Sequence, residues 1–247
     1  PIRIGSNVSG RGVFLTARCR ADGDVHEVQR YLRVLQLLGD DITTSDNELV
    51  FWHTDTEREA VRRLLPHYTH ERLIGINLGT TWETKRWRVE NFAAVLHQIA
   101  QQDPDVKIVL TGSAAERDIA AALHRPETTV NLVGKTTILQ LGALIERFVV
   151  YLTCDSGPMH IAAAVGTPTV SLFGPTAPAR HGPYGNNGHH IVLEKPVSCR
   201  PCYKRVCHRK DAPHLCMTEI RTAEVAAALT QFLENRRMNE RHPRTAI

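Results

Sequence analysis

The stretch Phe148-Val149-Val150-Tyr151-Leu152-Thr153-Cys154-Asp155-Ser156-Gly157-Pro158-Met159-His160-Ile161-Ala162-Ala163-Ala164 reads as a strand, a turn and a helix in immediate succession. The apolar run to Leu152 suits a strand. Gly157 lets the backbone approach a ligand, Pro158 fits a first helical turn, and the alanines allow a helix to pack closely on a sheet. A helix start presents free N–H groups and the positive end of the dipole. The turn from Cys154 to His160 therefore points to an anionic ligand of the nucleotide type.

The same alternation extends to both sides of this stretch. Apolar runs at Leu73–Leu78, Val106–Leu110, Thr129–Leu132, Phe148–Leu152 and Thr169–Phe173 are separated by helical segments at Val89–Gln102, Ala114–Leu123, Ile138–Glu146 and Gly157–Val165. Strands that alternate with helices need crossover connections and hence a parallel sheet. The spacing predicts one complete doubly wound, Rossmann-like α/β domain over residues 71–235, closed by a helix from Thr222 to Asn235. Residues 1–70 supply less. They offer strand-like runs at Ile2–Gly5 and Val13–Thr16 around the turn Ser9–Gly12, a helix at Asp24–Leu38, a strand at Glu48–Trp52 and a helix at Thr56–Leu65 ended by Pro66. These are expected to be the last portion of an incomplete N-terminal α/β domain, joined by a linker at 66–72, with 236–247 as a basic tail.

The chain of 247 residues is 42% hydrophobic and 23% charged, which excludes disorder and fibre as global descriptions. No run approaches the roughly 18 to 20 apolar residues that span a bilayer, so a soluble, cytoplasmic protein is expected. Thirty Lys and Arg against 26 Asp and Glu give a formal +4, spread along the chain. The densest basic runs, Lys204-Arg205 to Arg209-Lys210 and Arg236-Arg237 to Arg244, read as solvated surface and a frayed end. They favour acidic ligands or membrane headgroups only weakly, and no nucleic-acid partner is expected.

In an open parallel sheet, ligands sit beyond the carboxyl ends of the strands, and that rule ranks the loops. Asn77-Leu78-Gly79-Thr80-Thr81-Trp82-Glu83-Thr84-Lys85-Arg86-Trp87 offers hydroxyls and two cations ahead of a helix, a composition suited to phosphate. In Thr111-Gly112-Ser113-Ala114-Ala115-Glu116, the carboxylate of Glu116 either caps the helix or accepts hydrogen bonds from a ribose. Asp155 next to a diphosphate must be paired or protonated, so it is expected to orient N–H groups or Lys85. His160 either donates to a phosphate oxygen or is structural. Phe173 to Gly185, dense in Gly and Pro, forms a shaped loop. No Gly-x-Gly-x-x-Gly follows any strand, which weakens a dehydrogenase reading.

Cys199-x2-Cys202-x4-Cys207-x8-Cys216 is the remaining constellation. The spacing is compatible with a zinc or iron–sulfur site, with reduced thiols, or with disulfides in purified protein. The second pair lacks the close Cys-x2-Cys spacing of a complete metal motif.

Taken together, the residues resemble the ADP-heptose:lipopolysaccharide heptosyltransferases of glycosyltransferase family 9. The likeness runs from about Ile74 to Val225 and is carried by Gly79-Thr80-Thr81 with Lys85-Arg86-Trp87, Thr111-Gly112 with Glu116, Asp155-Ser156-Gly157-Pro158-Met159-His160, Gly174-Pro175-Thr176 with Gly182-Pro183-Tyr184-Gly185, and Cys199-Arg200-Pro201-Cys202. His26-Glu27 and Tyr31-Leu32 look like the end of that family's N-terminal domain. The resemblance implies a GT-B architecture and inverting transfer of heptose from ADP-heptose to the lipopolysaccharide inner core, without metal or cofactor, at the cytoplasmic face of the inner membrane. It puts Thr80, Thr81 and Lys85 at phosphate contacts, Glu116 at the ribose, and Asp155, Ser156, Gly157 and His160 around the diphosphate and sugar. The family's general base is an Asp near the start of its N-terminal domain, and no residue of this chain matches it. The resemblance therefore leaves open a donor-binding part of a transferase or a nucleotide-sugar-binding module or fragment without catalysis.

Overall fold

A computed structural model describes residues 1–7, 10–20, 25–39, 48–68, 72–185 and 189–241. Its centre is a six-stranded, wholly parallel sheet made of β3 (Leu73–Asn77), β4 (Lys107–Thr111), β5 (Thr129–Asn131), β6 (Phe148–Cys154), β7 (Thr169–Phe173) and β8 (His190–Glu194). The spatial order is β5-β4-β3-β6-β7-β8, which counted from β3 is the doubly wound order 3-2-1-4-5-6. The chain reverses direction across the sheet between β3 and β6, so the loops leaving these two strands open on either side of one crevice.

Side chains of alternate strand residues enter two separate cores. Ile74, Ile76, Ile108, Leu110, Val150, Leu152, Val170 and Leu172 face the side covered by α3 (Val89–Gln102) and α9 (Thr222–Arg241). Leu73, Val109 and Tyr151 face α5 (Ile138–Ile145) and α6 (Gly157–Ala164). Burial on both faces explains why the strands read as largely apolar runs rather than as alternating ones. The central strand is built around Gly75. A methyl group there would lie 2.2 Å from the Phe148 ring, which stacks on Tyr151 across the space that the missing side chain leaves.

The helices start where the sequence supplies caps. Thr137 accepts from the Gln140 N–H at 3.2 Å while the Gln140 side chain accepts from the Thr137 N–H at 2.9 Å, a reciprocal box that begins α5. The same device, Thr54 with Glu57, begins α2 (Asp55–Leu64). Although α2 precedes the expected linker at 66–72, its Val61, with Leu65 just past its end, is buried in the α5 face of the sheet.

Several expectations need correction. The sheet has a sixth strand, β8, beyond the five apolar runs; it lies at an edge and is only half-buried. Val13–Thr16 is not a strand: a 3-10 turn covers Arg11–Phe14, with Val13 and Phe14 exposed, and β2 (Ala17–Arg20) pairs in parallel with β1 (Ile4–Asn7). Glu48–Trp52 also forms no strand. Phe51 instead packs on α5 at Gly142, where an added Cβ would meet its ring at 2.3 Å, while Val50 and Trp52 point to solvent. The helix expected from Asp24 is α1 (Glu27–Gln36); Asp24 and Ser9 fall outside the described residues. At the other end α9 continues to Arg241, and Arg237 pairs with the buried Asp103 at 2.6 Å, so 236–241 are helical rather than a frayed end. The last residues of the expected tail, 242–247, lie outside the described residues.

Candidate functional site

The turn after β6 and the loop after β3 meet at the reversal point of the sheet. Lys85 ends a short 3-10 turn, Glu83–Lys85, and its Nζ lies 2.7 Å from Asp155 Oδ2, the first residue beyond β6. The carboxylate is almost wholly buried, and the same Oδ2 accepts the Thr176 hydroxyl at 2.5 Å. Asp155 therefore neutralises and aims the ammonium, the role expected of it from the sequence. The ammonium also lies 4.4 Å from the centroid of the Trp82 ring, a second contact that limits its reach.

Below this pair the site is tied together by Asn77, the last residue of β3. Its Nδ2 donates to the Gly79 carbonyl at 2.8 Å, to Thr153 Oγ1 at 3.1 Å and to Ser156 Oγ at 3.1 Å. One buried amide thus joins the two loops. Because the Ser156 hydroxyl is taken up by Asn77 and Thr153, it makes no cap on α6. Ser113 and Thr137 do cap their helices, so the uncapped start of α6 is a local choice of the sequence. Gly157 is exposed, with no atom within 4 Å of where a Cβ would stand, which leaves the N-terminus of α6 open to an anion.

Other groups near the Lys85 loop are left with unmet hydrogen-bonding capacity. The Thr80 hydroxyl and the Arg86 Nε are buried without a partner, while Thr81 is exposed. A buried hydroxyl and a buried guanidinium nitrogen without partners are costly in water-free surroundings and fit a ligand that brings acceptor oxygens. Glu116 is buried and accepts from the Ser113 N–H at 2.9 Å and from its hydroxyl at 2.7 Å, a capping box that occupies Oε2. Its Oε1 lies 3.7 Å from Arg86. Gly79 lies directly against this carboxylate, since a Cβ there would meet Oε2 at 3.0 Å.

His160 sits one turn into α6. Burial holds its pKa below the usual imidazole value, with Asp155 acting in the opposite direction, so burial favours the neutral ring. His181 is lowered for the same first reason, burial. Cys154 is an unsuitable nucleophile: burial pushes its thiol up to about 12. Across the crevice, α1 docks on the loop 182–184. His26 Nδ1 accepts from the Val28 N–H at 3.2 Å, so the proton sits on Nε2, which donates to the Gly182 carbonyl at 3.0 Å; the ring stacks on Tyr184 at 4.5 Å. Glu27 adds an ion pair to Arg180 at 2.5 Å.

The cysteines of 199–216 are free thiols, and Cys199, Cys202 and Cys207 are near enough to Cys216 to add to the rise that burial gives its pKa. Cys207 Sγ accepts from the His214 N–H at 3.3 Å. Among the described residues no group of three or more His, Cys, Asp or Glu side chains is arranged to hold a metal ion.

Asn77, Thr176 and Arg200 lie within the motifs of the sequence, but their residue types alone assign them no part in the site. The one signal available for Asn77 was an amide at the end of an otherwise apolar strand.

Residues 1–212 match the profile of glycosyltransferase family 9 (heptosyltransferase). The chain is 31% identical over 170 residues to lipooligosaccharide heptosyltransferase 2 of Campylobacter jejuni, covering 67% of this chain and 52% of that protein. It is 29% identical over 168 residues to lipopolysaccharide heptosyltransferase 1 of Pseudomonas aeruginosa, covering 63% and 46%. The chain thus spans about half the length of these relatives. Among solved structures, a glycosyl transferase family 9 protein from Veillonella parvula matches with a TM-score of 0.75 at 24% identity, over 91% of this chain and 65% of that one. Escherichia coli ADP-heptose lps heptosyltransferase II matches with a TM-score of 0.72 at 23% identity, over 96% and 71%. These likenesses confirm the α/β fold of GT-B heptosyltransferases, and the profile match, which takes in every loop of the site described above, makes this chain a member of glycosyltransferase family 9.

Proposed function

We propose that the crevice between the β3 and β6 loops binds the diphosphate of ADP-heptose, as the donor-binding part of an inverting transferase acting on the lipopolysaccharide inner core. The observation that carries this reading is the Lys85–Asp155 pair at 2.7 Å beside the uncapped start of α6. A departing ADP gathers negative charge, and a fixed ammonium with free helix N–H groups stabilises it in the way a metal does elsewhere. Thr80 and Thr81 lie on the same loop as Lys85 and complete the phosphate contacts. Ser156, Gly157 and His160 surround the diphosphate and sugar, and Glu116 turns toward the ribose. Solved relatives support the donor assignment: an Escherichia coli heptosyltransferase was crystallised with ADP and with ADP-2-deoxy-2-fluoro heptose.

In this reading residues 1–70 belong to the acceptor side and 71–235 to the donor side, with the docking of His26 and Glu27 on 180–184 closing one edge of the crevice. The acceptor is lipid-linked, which sets the reaction at the cytoplasmic face of the inner membrane. The same reading includes peripheral association with that membrane; among the described residues no helix is long and apolar enough to cross one.

Calorimetry with ADP and ADP-heptose tests the binding. Affinities between about 1 µM and 1 mM are expected, and no heat together with no thermal protection by either ligand would rule the reading out. A transfer assay on heptose-deficient lipopolysaccharide separates a transferase from a binding module without turnover.

A further inference from the structure

The segment from Cys199 to Cys216 is bonded to both halves of the site. Arg200 is nearly buried, and its guanidinium donates to the carbonyls of Gly174, of Thr176 at 3.0 Å and of Lys195 at 2.9 Å, and to Glu194 Oε2 at 2.6 Å. The Tyr203 N–H donates to the Pro175 carbonyl at 3.0 Å. The loop 174–176 is thereby fixed at every residue, and Thr176 is the residue whose hydroxyl bonds Asp155. A few residues on, the Lys204 carbonyl accepts from the buried Thr84 hydroxyl at 2.8 Å. Thr84 lies in the 3-10 turn that carries Lys85, and Arg205 stands 5.1 Å from the Trp82 ring on which Lys85 also rests.

We propose that Thr176 and Arg200 are positioning residues that set the Lys85–Asp155 pair, with the cysteine-rich segment acting as a bracket across the ends of β3, β6 and β7. The inference rests on the donor-site reading for its purpose and on hydrogen bonds for its geometry. Asp155 has one oxygen, Oδ2, that receives both the ammonium and the Thr176 hydroxyl. Without the hydroxyl the carboxylate can rotate about its Cα–Cβ bond, and the ammonium follows it out of line with the helix start. Arg200 acts one step further back, because the Thr176 backbone is where its guanidinium ends. A planar fork of five donors can serve three carbonyls and a carboxylate together, whereas a lysine ammonium has three donors and no fork. Glu194 balances the charge, so the buried cation is not left unpaired.

Two measurements test this on the full chain. The first is the rate at which Lys85 is acylated by a small amine-reactive probe, followed by peptide mass spectrometry, with Lys107 and Lys135 as internal references. Thr176→Val and Arg200→Gln are expected to speed labelling of Lys85 at least about tenfold, the scale of one lost charge-assisted hydrogen bond, while the references stay unchanged. Thr176→Ser should restore the parent rate, and Arg200→Lys should not. Unchanged Lys85 labelling in folded Thr176→Val and Arg200→Gln overturns the proposal. If Arg200→Gln speeds all three lysines alike, it has lost its fold, and Thr176→Val, which keeps the side-chain shape, then decides. The second measurement is calorimetry: both variants should weaken ADP by a similar factor and leave adenosine unaffected, and a parallel loss of adenosine counts against positioning. If the parent itself binds no ADP, the donor-site reading fails, and Lys85 labelling still decides whether Thr176 and Arg200 position the pair.

Discussion

Replacing Lys85 with Met removes the ammonium but keeps most of the stem that lies along Trp82. At 2.7 Å, two unit charges attract by about 6 kcal/mol if the effective dielectric constant is roughly 20. Most of that gross attraction offsets the desolvation of two nearly buried groups, so the net cost of breaking such a pair from one side is about 3 kcal/mol. Asp155 would be left as a buried carboxylate with the Thr176 hydroxyl as its remaining partner from this set. Two effects follow in opposite parts of the cycle. The free protein loses stability by that amount, and ADP loses its cation while gaining an uncompensated carboxylate nearby, which predicts a fall in affinity of about a hundredfold. Adenosine, with no phosphate, should change by less than about twofold. Calorimetry with the two ligands, alongside thermal unfolding, measures both effects. Adding Asp155→Asn to Lys85→Met should recover part of the stability, because the unpaired charge is gone, but not the affinity for ADP. Equal weakening of ADP and adenosine would refute the argument, since it would mean that Lys85 maintains the fold of the loop rather than the charge of the site.

Three further perturbations reach other parts of the structure. Burial lowers the His160 pKa, and a bound diphosphate favours the imidazolium; ADP affinity should therefore rise as pH falls from about 7 to 5.5, and rise less in His160→Gln, with equal slopes counting against contact with the anion. Glu116→Ala removes a capping box and should cost about 1 kcal/mol in unfolding experiments; if the carboxylate also meets the ribose, 2′-deoxy-ADP should bind the parent more weakly than ADP and bind the variant equally well. Gly75→Ala forces a methyl to within 2.2 Å of the Phe148 ring in the central strand, and a loss of about 3 kcal/mol or failure to fold is expected; a neutral result by denaturant titration would mean that Phe148 has room to move.

Much of the parallel sheet could be read in the chain because burial on both faces leaves few polar residues in a strand, as in Leu73–Asn77 and Phe148–Cys154. The Lys85–Asp155 pairing was also foreseeable, since a buried carboxylate needs a cation. The elements misread are those whose fate depends on a partner. Val13–Thr16 and Glu48–Trp52 have the composition of strands, but hydrogen-bonded neighbours are what make a strand, and Phe51 finds its packing on α5 instead. His190–Glu194 is half-buried at the sheet edge and flanked by histidines, so its apolar signal is diluted. In the site, Thr176 and Arg200 act through backbone carbonyls and one hydroxyl, contacts that no spacing of residue types encodes.

The place of β3 in the sheet also has consequences for how the molecule is made. This strand pairs with β4, which follows it closely, and with β6, where Leu73 meets Phe148. On a ribosome, β3 and β4 can form a ladder early, while the other edge of β3 waits, apolar and unpaired, until the β6 segment has emerged. Such an edge is the kind of surface that chaperones hold and that aggregates recruit. The crevice between the β3 and β6 loops forms only when that wait ends, so a ligand that bridges the two loops would report that synthesis has passed residue 160 and that the central pair of strands has closed.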